Sequence, residues 1–260
     1  MIDQSQKKRD YHRDRRPMSL PLANEFLAGL DWLSLTVSPV YYGLGIEHGN
    51  GEPVVVVPGF LGTDLYLGEL RNWLLRIGYR AYLSQIGQNA NCLNLLTDRL
   101  LETVRKAHSD TGRPVHIIGH SLGGIMACSI AARHPELVAS IVTLASPIRG
   151  VRSHPFILHL ADVVRERIYR DCSHGHPTNC YTGDCPCPSV DVIPHGFSST
   201  IPHLAIYTKF DGVVDWKACI NNDPITDFEV PGTHVGLVFN PAVYNKLAEW
   251  LSFYSFHRRS

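Results

Sequence analysis

Apolar residues along this chain follow two alternating rhythms. Short stretches, the clearest of them the apolar runs Pro53–Val57 and Val115–Ile118, occur at Pro53–Val57, Tyr79–Ile86, Val115–Ile118, Leu137–Leu144, Leu204–Thr208 and Phe228–Val230. Between them lie longer stretches in which apolar residues recur every three or four positions. Leu67, Leu70, Leu74 and Ile77 mark one such stretch within Thr63–Ile77. Leu93, Leu96, Leu100, Val104 and Ala107 mark another within Leu93–His108. Short runs bounded by turn residues are read as buried strands, and the longer periodic stretches as amphipathic helices. The four valines of Pro53–Val57 suit a central strand. Further helices are predicted from just after Ser121 to about Arg133, over Pro155–Ile168, and from about Pro241 to Phe253. Strand alternating with helix predicts an α/β fold, with a mostly parallel sheet and helices on both faces.

The two ends of this pattern differ. Leu22, Phe26, Leu30, Leu33 and Val37 share one helical face, and Pro39 ends the run, which predicts an N-terminal helix laid against the sheet. Residues 1–20 are polar and carry Lys7, Lys8, Arg9, Arg13, Arg15 and Arg16, diluted by Asp3, Asp10 and Asp14. They are expected to form a solvated, poorly ordered tail. Residues 21–260 then make a single domain, with 151–201 as an irregular, Cys-rich insertion of the kind that forms a lid.

Composition narrows the functional classes. A length of 260 residues suffices for one large core, and 44% apolar with 18% charged residues is ordinary for a globular protein. Twenty-four basic against 24 acidic residues leaves a formal net charge of +0, which gives no reason to expect a nucleic-acid partner. The N-terminal stretch lacks the pattern of a secretory signal. Glu25, Asp31 and Pro39 interrupt the only apolar segment near it, so no integral membrane segment is expected and the location is read as cytoplasmic.

The chemistry concentrates at Gly119-His120-Ser121-Leu122-Gly123-Gly124, between a predicted strand and a predicted helix. Gly-x-Ser-x-Gly in that context is a nucleophile elbow, a sharp turn that lifts a serine hydroxyl above the sheet. Acyl transfer builds negative charge on a carbonyl oxygen, and two preorganised backbone N–H groups can stabilise it. One is the amide of Leu122. The other comes from the loop after the first strand, Pro58-Gly59-Phe60-Leu61-Gly62, with Phe60 the first candidate and Leu61 the second.

A serine hydroxyl also needs a base, and the base needs an orienting group. In elbow folds the acid and then the histidine follow the serine along the chain. Asp211 lies on the turn after the Leu204–Thr208 strand, with Asp215 as a rival whose position suits a helix-start carboxylate. His234 follows Asp211 and sits after a short strand and a Pro-Gly turn. His195 and His203 precede Asp211, and His120 is read as structural, facing away from the nucleophile.

With these residues in place, the chain resembles the α/β-hydrolase superfamily, particularly bacterial lipases and carboxylesterases. The resemblance is carried by Pro58–Gly62, by the elbow and by Val142–Gly150. It extends through Gly87-Gln88-Asn89, Asp211–Trp216 and Gly232–Leu237 to a less characterised bacterial branch. It implies a Ser121–Asp211–His234 triad, an oxyanion hole at Phe60 and Leu122, a small-molecule ester substrate and no cofactor. An acyltransferase or thioesterase would use the same residues, and a non-catalytic binding protein would be favoured by a missing triad member.

Seven cysteines are present, four of them clustered as Cys172, Cys180, Cys185 and Cys187, with His174 and His176 nearby. Disulfide, zinc and free thiol all remain open for this group, and the spacing lacks the paired Cys-x-x-Cys form of a zinc site. Cys92, Cys128 and Cys219 read as small apolar fillers. Phe156, Ile157, Leu158 and Leu160 are read either as the lining of an acyl pocket or as the lid's own core.

Overall fold

Six parallel strands form one sheet in the computed structural model, which describes residues 21–171, 188–189 and 200–256. The strands are β1 (Pro53–Val57), β2 (Arg80–Leu83), β3 (Val115–His120), β4 (Val138–Leu144), β5 (His203–Tyr207) and β6 (Asp227–Glu229). Their spatial order is β2-β1-β3-β4-β5-β6. The helices are α1 (Ala28–Thr36), α2 (Gly68–Arg76), α3 (Leu93–Thr111), α4 (Leu122–Arg133), α5 (Pro155–Asp171) and α6 (Pro241–Phe256). Among the described residues, no helix is long and apolar enough to cross a membrane.

The strand period of two sorts the core into two layers. Val54 and Val56 of β1 join Ile118, Val142 and Ile206 on one face, under Trp73 and Leu74 of α2 and Tyr244 and Leu247 of α6. Val55 and Val57 face the other way with Ile117 and Ile141, under Leu96 and Leu100 of α3 and Ile125 and Ile130 of α4. Each of these fully buried large side chains contributes roughly 1.5–3 kcal/mol of transfer free energy. The four-valine run is thus a central strand covered on both faces, as its composition requires.

The connection order decides where a site forms. The chain runs from β1 outward to β2, then returns past β1 to build β3 through β6. The loops after β1 and β3 therefore diverge at a topological switch point, where a crevice opens at the carboxyl ends of parallel strands. Val57 pairs with Gly119, and His120 with Leu144, so β1, β3 and β4 end together at that edge. Backbone strain gathers there too. Leu61 (φ 62°), Gln85 (60°), Ser121 (51°) and Ala145 (48°) all adopt left-handed conformations just beyond strand ends. Each such residue costs about 1–3 kcal/mol and persists only where its surroundings hold it.

The N-terminal helix departs from expectation. Residues Leu22–Leu27 form a 3-10 turn and only Ala28–Thr36 is α-helical. The apolar face predicted to meet the sheet points outward: Phe26 is 91% exposed, Val37 75%, Leu30 64% and Leu33 55%. Leu35, off that stripe, is the buried residue of α1. The face of the sheet is already covered by α2 and α6, and the side chain of Glu25 is drawn inward by main-chain donors. Those polar contacts anchor the turn that leads into α1, and the apolar stripe faces outward.

Candidate active site

Ser121 occupies the turn between β3 and α4 with φ 51° and ψ −121°. Its N–H donates to the Leu144 carbonyl at 2.8 Å, which pins the turn to β4. The glycines on either side are required by packing. A Cβ on Gly119 would lie 2.5 Å from the Gly123 carbonyl oxygen, and one on Gly123 2.5 Å from that of Val57. No side chain fits there, so strand, turn and helix close onto one another only with glycine at both positions.

Asp211 and His234 come together from loops after β5 and β6. Asp211 Oδ2 is 2.7 Å from His234 Nδ1. Its other oxygen, Oδ1, accepts from the N–H groups of Val213 and Val214 at 2.8 Å each, so the carboxylate is held on both sides. Burial alone would lower the pKa of His234. The charge and hydrogen bond of Asp211, with the charge of Glu25, outweigh it and raise the value. Asp215 instead caps the Trp216–Ala218 turn by accepting from Lys217 N–H, and it pairs with Arg152.

A cavity of about 380 Å³ reaches Ser121 and His234. Ser121 and His234 line it with Phe60, Leu61 and Leu122, and much of the remaining wall is aliphatic, including Leu93, Ile125 and Val214. Ile157, Leu158 and Ala161 of α5 form another wall, whereas Phe156 is 53% exposed. The four residues 156–158 and 160 thus do not form a buried core of their own.

The loop after β1 is clamped from outside the cavity. Asn89 donates from its backbone N–H to the Gly62 carbonyl, accepts from Leu61 N–H and donates from Nδ2 to the Pro58 carbonyl, each at 2.8 Å. The N–H of Leu61, the second candidate for an oxyanion donor, is therefore committed to Asn89. Leu122 opens α4, and N–H groups in the first turn of a helix have no intrahelical acceptor.

His120 is not turned away from the site. It borders the cavity, and its ring centroid lies 4.8 Å from that of His234. Nε2 is 2.9 Å from the main-chain carbonyl of His234 and Nδ1 is 3.0 Å from the Tyr66 hydroxyl. Tyr66 Oη accepts from Gly59 N–H at 2.6 Å, leaving its own proton for Nδ1. This order assigns the His120 proton to Nε2. Burial, and next the neighbouring His234, lower its pKa to about 3, so the ring stays neutral. One chain of hydrogen bonds thus links the loop after β1, the turn at Ser121 and the main chain of His234.

Sequence reasoning missed Glu25, Tyr66 and the role of Asn89. Asn89 stood in a recognised motif, Gly87-Gln88-Asn89, without an assigned task. In the sequence Glu25 interrupts an apolar run, and that misplaced charge is the available signal. Cys92, Cys128 and Cys219 are buried, and burial raises the pKa of the Cys128 and Cys219 thiols. Cys172, Cys180, Cys185 and Cys187 lie outside the described residues.

The parallel sheet, its switch point and the strained serine turn after β3 define an α/β-hydrolase fold. Comparison with known proteins agrees: residues 95–171 match the family model described as alpha/beta hydrolase fold. The chain is 30% identical over 151 residues to a triacylglycerol lipase of Burkholderia plantarii, covering 55% of this chain and 42% of that protein. It therefore spans under half the length of that relative. Among solved structures, a soluble variant of monoglyceride lipase from Saccharomyces cerevisiae superposes with a TM-score of 0.56 at 15% identity, covering 80% of this chain and 90% of that one. A monoacylglycerol lipase of Paleococcus ferrophilus gives a TM-score of 0.55 at 15% identity, covering 79% and 97%. The chain thus resembles bacterial lipases in sequence and shares the fold of lipases from other sources.

Proposed function

We propose that this protein is a serine hydrolase of small carboxylic esters. The observation that carries the reading is the 2.7 Å contact of Asp211 with His234 at a cavity that Ser121 also lines. Asp211 holds the imidazole with Nδ1 protonated, which leaves Nε2 as the base. His234 takes the proton of Ser121 as Oγ attacks the ester carbonyl. The amides of Phe60 and Leu122 carry the developing oxyanion. His234 then hands the proton to the departing alcohol. A water deprotonated by His234 attacks the acyl-enzyme, releasing the carboxylic acid and restoring Ser121.

The aliphatic walls suit the acyl group of an ester. Residues 21–260 act as one domain in this reading, and α5, within the 151–201 insertion, borders the acyl pocket. The lipase named for the relative in Burkholderia plantarii supports ester chemistry. The test is hydrolysis of chromogenic esters of increasing chain length, together with labelling by a fluorophosphonate. Wild-type protein should turn over esters and take up one label, and folded Ser121→Ala should do neither. Turnover that survives Ser121→Ala overturns the assignment.

A further inference from the structure

We propose that Glu25 is a positioning residue, whose single carboxylate holds the acid-bearing and base-bearing loops in register. The inference rests on the roles given above to Ser121, Asp211 and His234. Glu25 Oε1 accepts from the N–H of Gly212 and from the N–H of His234, each at 3.0 Å, and Oε2 accepts from Val235 N–H at 2.9 Å. Gly212 directly follows Asp211. One side chain therefore ties the main chain beside the acid to the main chain of the base. Hydrogen bonds to a carboxylate are about twice as strong as neutral ones.

The packing is built for this approach. A Cβ on Gly212 would lie 2.7 Å from the Pro21 carbonyl oxygen and 3.0 Å from Glu25 Oε1, so the glycine lets the N-terminal turn lie directly on the acid loop. Glu25 is absent from the cavity wall, so it acts through His234 and not on substrate. Its charge also favours the imidazolium that forms during each proton transfer. The other groups bearing on His234 are Asp211 and the neutral His120. Asp31, which would meet a side chain at Gly232 or Gly236, is held above its ordinary pKa by burial and then by Glu25 itself.

The experiment compares Glu25→Ala, Glu25→Gln and Glu25→Asp with wild type in the full chain. Turnover of a short-chain nitrophenyl ester is followed from about pH 5 to about pH 9, alongside the rate of fluorophosphonate labelling. For Glu25→Ala, kcat and labelling should fall roughly 10–100-fold while KM changes less than about threefold. The acid limb of kcat/KM should move to lower pH in Glu25→Ala and Glu25→Gln, because the charge that favoured protonated His234 is gone. Glu25→Asp keeps the charge and should hold the limb in place while kcat falls. Should Glu25→Ala not fold, the nearly isosteric Glu25→Gln carries the comparison. Wild-type kcat and an unmoved limb in Glu25→Ala and Glu25→Gln overturn the proposal, even if their thermal stability is reduced. An active Ser121→Ala sinks the serine-hydrolase reading instead, whatever Glu25 does.

Discussion

The imidazole of His120 donates from Nε2 to the main-chain carbonyl of His234 across 2.9 Å, so the residue before Ser121 carries the backbone of His234. The same ring accepts from Tyr66 through Nδ1. A substitution at 120 therefore disturbs two loops at once. His120→Phe keeps the ring's bulk but leaves the His234 carbonyl and the Tyr66 hydroxyl short of a partner. Each buried group left unpaired costs about 1–3 kcal/mol. Urea unfolding should show a loss of roughly 2–4 kcal/mol, with ester turnover reduced in the folded variant. A loss below about 0.5 kcal/mol would show that the network contributes nothing.

Buried neutral histidines also set how stability depends on pH. Burial lowers the pKa of His120 to about 3 and that of His203 to about 4. In the unfolded chain both titrate near 6.5. Between these values the unfolded state binds more protons, so stability rises with pH across this window and levels off above about 6.5. His234 has the opposite sign: its raised pKa gives stability that is present below the unfolded value and lost as pH passes the folded one. Stability should thus be greatest near neutrality. Melting temperature should fall on acidification from about pH 6.5 to about pH 4.5, and the slope should be shallower in His203→Gln. A flat profile in wild type contradicts the assignment of two buried neutral rings.

The strands and the glycine-flanked turn at Ser121 were legible because burial on both faces leaves largely apolar runs, such as Val54–Val57. The pairing of Asp211 with His234 was reachable because chain order narrows the candidates to loops after two particular strands. The rotation of α1 was not. A stripe such as Phe26, Leu30, Leu33 and Val37 reports that a helix is amphipathic, not that its surroundings have room for that face. Glu25 was hidden for a related reason. Its partners lie more than 180 residues away in sequence, and all three are main-chain N–H groups, which leave no mark on residue identity.

The outward stripe of α1 makes its own prediction. Phe26 and Leu30 are mostly exposed, so replacing either by Ser removes little buried apolar area. Each change should alter unfolding free energy by no more than about 0.5 kcal/mol. Leu35→Ala, in contrast, opens a cavity in the layer beneath α1 and should cost about 2–5 kcal/mol. Urea melts of the three variants decide the matter. A large loss from Phe26→Ser would mean that this face is buried in solution and that the rotation described for α1 is wrong.

Asn89 is the residue through which the oxyanion role proposed for the loop after β1 can be tested without touching the cavity wall. It is fully buried, its Nδ2 donates to the Pro58 carbonyl, and its backbone exchanges hydrogen bonds with Leu61 and Gly62. Asn89→Asp preserves the shape but replaces the donor with an acceptor. A carboxylate facing the Pro58 carbonyl is repelled by it and must take up a proton or push the loop away. Either response alters the placement of Phe60, two residues further on, and a misplacement of about 1 Å can cost 100-fold in rate. Ester hydrolysis by Asn89→Asp should therefore fall roughly 10–100-fold in kcat with little change in KM, because the oxyanion forms only as the reaction proceeds. Lower pH should restore part of the loss by protonating the new carboxyl. Wild-type kcat in a folded Asn89→Asp protein would remove the loop after β1 from the oxyanion hole and leave Leu122 without its assigned partner.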